Sequence, residues 1–192
     1  MKKQLLLVLL AAWLGLANLA AQNWPAGVRS AAMGHASVGL ADIWSSFNNQ
    51  AGLAWLEETT VGAFYENRFL TPELGAQGAA FALPVKQMGT FGVNLYRFGY
   101  SNYNENKMGF AYSRKFGEIF SAGLQLNLHF FQMGEDFGSL FTASGELSFL
   151  VKATEDWTIA AHVFNPTRTP LNSFDREKIA TIFRIGTAYN FD

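Results

Sequence analysis

FTASGELSFLVK, residues 141–152, sets the pattern for the chain. Read alternately, Phe141, Ala143, Gly145, Leu147, Phe149 and Val151 are apolar, whereas Thr142, Ser144, Glu146, Ser148 and Lys152 are polar. Only Leu150 breaks the alternation. A period of two belongs to a β-strand, whose successive side chains point to opposite faces. A charge at Glu146, in mid-strand, implies that its face meets water, and the six apolar neighbours imply that the other face does not. Two settings suit such a strand: a secreted β-sandwich, or an outer-membrane barrel with lipid outside and a polar lumen.

The same alternation recurs along the chain. Strands are expected over residues 59–66, 76–84, 90–98, 107–114, 119–131, 140–152, 157–164 and 179–191. In the fifth, Phe120, Ala122, Leu124, Leu126, Leu128 and Phe130 share one face, and Ser121, Gly123, Gln125, Asn127 and His129 share the other. Several reach the ~9–11 residues that cross a bilayer at a tilt. The connections decide between the two settings. Those after the second, fourth and sixth segments (85–89, 115–118 and 153–156) are tight. Those after the first, third, fifth and seventh (67–75, 99–106, 132–139 and 165–178) are longer and more polar. An up-and-down barrel has long connections outside and short ones on the periplasmic side, whereas a Greek-key sandwich has no reason to alternate so. The alternation places Trp55 and Trp157 near the periplasmic interface, where aromatic belts are expected.

Composition agrees. With a net charge of −1 and no basic block, the chain lacks the footprint of a nucleic-acid partner. Charged residues make up 15%, against roughly 25% in soluble domains, so there is much apolar surface to place. Residues 1–21 read as a cleaved secretory signal peptide: Lys2 and Lys3, an apolar run, then Ala17, Ala20 and Ala21. The run is short for a spanning helix and leads directly into Gln22 and Asn23. With no cysteine, neither a lipoprotein anchor nor a disulfide framework is available.

Residues 22–58 form a separate stretch without sustained alternation. Within it, AAMGHASVGLAD (31–42) and SSFNNQAGLA (45–54) resemble the N-terminal signature of FadL-like outer-membrane barrels, in particular the PorV/PorQ-like proteins of Bacteroidetes. Met33, Gly34, Asp42, Asn49 and Gly52 are among the matching positions; His35 stands where a Gly is usual and Gln50 where a Pro is usual. The resemblance implies that residues 22–58 form a hatch inside a barrel made by residues 59–192. It also implies a cell outer-membrane location, with membrane lipid as a constant partner. Two roles follow from it: passage of a hydrophobic small molecule, or a barrel of type IX secretion that engages secretion-machinery proteins. An eight-stranded barrel is only just wide enough for its own side chains. The FadL-like fold has about fourteen strands. The expectation is therefore an all-β, antiparallel up-and-down transmembrane β-barrel with an N-terminal hatch, present here as a fragment of about eight strands. A secreted soluble β-sandwich that binds a ligand or protein is the alternative.

No sequence signal marks an enzyme. His35, His129 and His162 form no metal-spaced pair, and there is no GxSxG or P-loop motif, so no catalytic residue, metal or cofactor is expected. The residues of interest are the polar ones on the lumen phase: Gln125, Asn127, His129, Glu146, His162 and Arg184. In a narrow lumen such groups should bond to one another, to the hatch or to a ligand, because an unpaired buried charge is costly. They do not make an apolar tunnel.

Overall fold

The computed structural model describes residues 26–67, 70–134, 138–171 and 178–191, and the expected signal peptide lies outside them. The chain is all-β. Eight antiparallel strands form one sheet in sequence order, curled into a half-barrel. They are β1 (Thr60–Asn67), β2 (Gly75–Val85), β3 (Gly89–Gly99), β4 (Tyr103–Phe116), β5 (Phe120–Met133), β6 (Ser139–Lys152), β7 (Trp157–Phe164) and β8 (Ile182–Tyr189).

Every segment expected from alternation is a strand, and the largest differences in bounds are at the starts of two of them. β4 starts at Tyr103, not Lys107, because Tyr103, Asn104, Glu105 and Asn106 pair with Met133, Gln132, Phe131 and Phe130 of β5. Their polar composition reads as loop, but backbone pairing overrides it. The expected long connection after β3 therefore shrinks to residues 100–102. Those at 68–74, 134–138 and 165–181 remain longer than the tight ones at 86–88, 117–119 and 153–156. β8 starts at Ile182 because the backbone of Ile179 is used within the preceding connection. Its N–H donates to Thr169 O at 3.0 Å, and Asn165 Nδ2 donates to its carbonyl at 2.8 Å.

Register lines up Ala82, Gly92, Ala111, Gln125, Glu146 and Phe164 as one row across β2 to β7. All six are buried, small at one end and polar in the middle. Residues 26–58 lie over this inner face as α1 (Val28–Ala32), α2 (Ser45–Asn48) and a 3-10 helix (Gln50–Trp55). Over β2 to β4, Ile43, Phe47 and Leu53 pack on Ala80, Ala82 and Ala111. Small wall residues make that approach possible. A Cβ on Gly123 of β5 would stand 2.6 Å from the Ala51 nitrogen and 2.7 Å from the Gln50 carbonyl carbon.

The outer face inverts the usual order of burial. On β5, Leu124 and Leu126 are 55% and 54% exposed, while Asn127 between Leu126 and Leu128 is 0% exposed. Phe81, Phe91, Leu95, Phe110, Phe141 and Phe149 are likewise exposed on neighbouring strands. Among the described residues no second sheet covers them.

Candidate functional site

The inner polar residues of β3, β5, β6 and β7 converge on one carboxylate. Glu146 of β6 is 2% exposed. Its Oε2 accepts from Gln50 Nε2 at 2.7 Å and lies 2.7 Å from His162 Nε2. Its Oε1 accepts from Asn127 Nδ2 at 2.7 Å and Gln125 Nε2 at 3.2 Å, and Lys107 Nζ lies 3.9 Å away. Alternation puts Gln125 and Asn127 on one face of β5, and pairing of Gln125 with Glu146 brings β6 alongside. The network continues outward. Gln125 Nε2 donates to Asn127 Oδ1 at 2.7 Å, and Asn94 Nδ2 of β3 donates to Gln125 Oε1 at 2.9 Å and to Ser46 O at 2.8 Å. Donors surround the ionised carboxylate, which can only accept.

The same face anchors the backbone of the 3-10 helix. Ala51 N donates to Ser148 Oγ at 3.0 Å, and Ser121 Oγ donates to Ala51 O at 2.9 Å. Trp55 Nε1 donates to Ser121 Oγ at 2.9 Å, and its ring sits 4.4 Å from Lys115 Nζ and 3.9 Å from Lys152 Nζ. Short helical turns leave orphan backbone groups, and wall hydroxyls here supply the partners.

The motif residues of the N-terminal segment have distinct positions. Asn49 is fully buried; its Nδ2 donates to Val38 O at 2.8 Å and to Phe149 O of β6 at 3.2 Å, while its Oδ1 caps the 3-10 helix at Ala51 N. Gly52 lies so close to Ser45 that a Cβ would come 2.4 Å from Ser45 Oγ and 2.7 Å from Leu40 O. Asp42 starts the turn into α2: its Oδ1 accepts from Trp44 N at 2.9 Å, and Ser45 Oγ accepts from its N–H at 3.1 Å. Burial pushes the Asp42 carboxyl up from its ordinary value, while the Trp44 N–H and Arg29, 3.7 Å away, draw it back. Gly34 and His35 both adopt left-handed backbone, φ 59° and 67°. His35 thus holds a backbone conformation that favours glycine. Met33 is exposed and touches no part of the network.

Of the six lumen-phase residues, Gln125, Asn127, Glu146 and His162 meet directly. His129 joins through Ser144, whose Oγ lies 2.8 Å from His129 Nε2 and 3.3 Å from Asn127 Nδ2. Arg184 of β8 stands opposite His162 in register and is half-buried. The structure adds Lys107, Asn94 and Gln50. Lys107 shares the phase of Gly109 and Ala111, a signal present in the sequence. Gln50 is visible there only as a departure from the motif's Pro. It is the first residue of the 3-10 helix, and its side chain donates to Glu146. Among the described residues no group of three metal-ligating side chains is found. Compared with protein-family models, with curated proteins and with solved structures, the chain matches none.

Proposed function

We propose that the sheet is the wall of an outer-membrane β-barrel and that residues 26–58 are its hatch. One observation carries this reading: the exposed face of β5 is leucine and phenylalanine, and its buried face is Ser121, Gln125, Asn127 and His129. Water would favour the opposite arrangement, whereas a bilayer outside a polar interior favours this one. The dimensions agree. From Phe120 to Phe130 the strand advances ten residues, which at about 3.3 Å per residue and a tilt of about 40° covers about 25 Å, the height of an outer-membrane apolar band. A soluble sandwich would need a second layer over Leu124 and Leu126.

The hatch fills the inner face through directional bonds to Glu146, Ser148 and Ser121, and no apolar tunnel follows the polar row. A barrel plugged in this way acts best through its surface, as a secretion-associated scaffold of the PorV type. The second reading, passage of a hydrophobic small molecule, draws on the other half of the interface. There Trp44, Phe47, Phe64 and Tyr96 meet through non-directional ring contacts that can part without orphaning polar groups.

The membrane reading is tested on the protein in isolated envelopes. It should stay with the membrane at high pH and need detergent for extraction. Unboiled and boiled samples should migrate differently on gels. Release at high pH with co-migration would end the barrel proposal. Deletion of the gene then separates the roles: lost protein secretion with unchanged fatty-acid uptake fits the scaffold, and the converse fits passage.

A further inference from the structure

The outer face is apolar over most of its height, with a polar row crossing it near one end. Gln77, Arg97 and Asn106 are register partners across β2, β3 and β4. All three share the outer phase with Leu95 and Met108. One row further into the apolar band come Ala79, Leu95, Met108 and Leu128, with Ala63 of β1 beside Ala79. The two alanines leave a depression between larger side chains, and the resulting groove holds about 700 Å³. That is the size of a small-ligand site. Phe130 and Phe141 close it on the β5–β6 side.

Arg97 is exposed at the top of this groove. Its Nη1 reaches Asn106 Oδ1 at 3.5 Å, a neutral partner, and among the described residues no carboxylate is in ion-pair range. The row lies toward the end of the sheet that carries the longer connections 68–74 and 134–138. A guanidinium at the edge of an apolar band, flanked by two amides and placed over a groove lined by Ala63, Ala79, Leu95 and Met108, matches one kind of molecule.

We infer that this groove binds an anionic membrane lipid, with a headgroup phosphate on Arg97 and an acyl chain along Ala63, Ala79 and Leu95. The inference rests on the membrane reading. Planar guanidinium groups suit phosphate oxygens, and a single basic side chain at a membrane surface changes anionic-lipid binding about fivefold.

The test uses the full chain in neutral detergent, with lipid retention read by native mass spectrometry. An equimolar mixture of phosphatidylglycerol and phosphatidylcholine with identical acyl chains is offered. The wild-type protein should retain phosphatidylglycerol preferentially. Arg97→Gln should lower that preference about fivefold, Arg97→Lys should largely keep it, and Ala79→Leu should reduce retention of both lipids. All variants are first checked for the heat-dependent gel shift. Equal preference in wild type and Arg97→Gln would overturn the inference, as would displacement of the lipid by millimolar inorganic phosphate, which would make the occupant a free anion. If the gel shift is intact and the preference absent, only the lipid site fails. If wild type shows no gel shift, the barrel fails and the lipid site with it.

Discussion

Replacing Glu146 tests whether the buried network holds residues 26–58 to the sheet. Glu146→Leu removes an acceptor that serves Gln50, His162, Asn127 and Gln125 and the charge that faces Lys107. Removing one partner of a buried ion pair costs about 3–5 kcal/mol, since the groups left behind lose both charge and bond. Glu146→Gln should be much milder. Gln50 Oε1 and His162 Nδ1 have no hydrogen-bond partner in the present arrangement. Gln50 can therefore turn its amide to accept from the new side chain, and His162 can change tautomer, while the new carbonyl still accepts from Asn127. Both variants lose the charge opposite Lys107, so Glu146→Gln should be milder than Glu146→Leu by the hydrogen bonds it keeps, about 1–3 kcal/mol. The assay is urea unfolding of the protein in bilayers, followed by the folded gel band and by tryptophan fluorescence. Adding Gln50→Leu completes a cycle whose coupling energy should be about 1 kcal/mol or more. Equal stability for the Leu and Gln variants, or a coupling near zero, would refute the idea that this carboxylate seats the hatch.

Leu126→Arg places a charge at mid-height on the outer face; in bilayers it should cost about 2–4 kcal/mol, whereas on a water-exposed surface it would stay within about 0.5 kcal/mol. Bilayer-folded protein unfolded in urea separates these outcomes. Gly123→Ala drives a Cβ to 2.6 Å from the Ala51 backbone. The 3-10 helix must shift, at about 1–3 kcal/mol, and trypsin should cut faster at exposed Arg29. Burial raises the Asp42 carboxyl, so the folded state takes up its proton more readily than the unfolded chain does. Its contribution is therefore largest below the ordinary carboxylate value and falls as pH rises through the raised one. Asp42→Asn should flatten that part of the pH dependence, read as protease protection of residues 26–58; an unchanged slope would assign it elsewhere.

The strands were legible because each carries the same signal twice, an apolar phase and a polar one. Where the signal lapses, at Tyr103 to Asn106, composition read as loop while the backbone pairs with β5. Phase alone also identified Gln125, Asn127, His129, Glu146 and His162 as sharing a face, and Gln125, Asn127 and His162 bond directly to the Glu146 carboxylate. Phase does not report depth, so Arg184 and His162 read alike although only His162 is fully enclosed. Gln50 meets Glu146 across 96 residues of chain, and nothing local to either residue specifies the other. The outer groove was out of reach for the same reason. It arises only when register sets Ala63 beside Ala79 and Gln77 beside Arg97.

The two halves of the interface between residues 26–58 and the sheet ask for different things. Over β2 to β4 the contact is mainly Ile43, Phe47 and Leu53 on alanines, with Asn94 to Ser46 O as a directional bond, and the apolar packing tolerates a sideways slip because dispersion is non-directional. Over β5 to β7 a small apolar cluster of Ala51 with Leu150 and Ala160 is joined by contacts that have a direction: an amide on a carboxylate, a backbone N–H on a serine hydroxyl, an indole N–H on another. A slip of one residue there would turn several satisfied donors into buried unsatisfied ones, each costing about 1–3 kcal/mol. The apolar half thus supplies area and the polar half supplies register. If residues 26–58 are the hatch proposed above, an opening would pivot on Gln50 to Trp55 and begin at Trp44 and Phe64, whose ring contacts carry no hydrogen bond that must break.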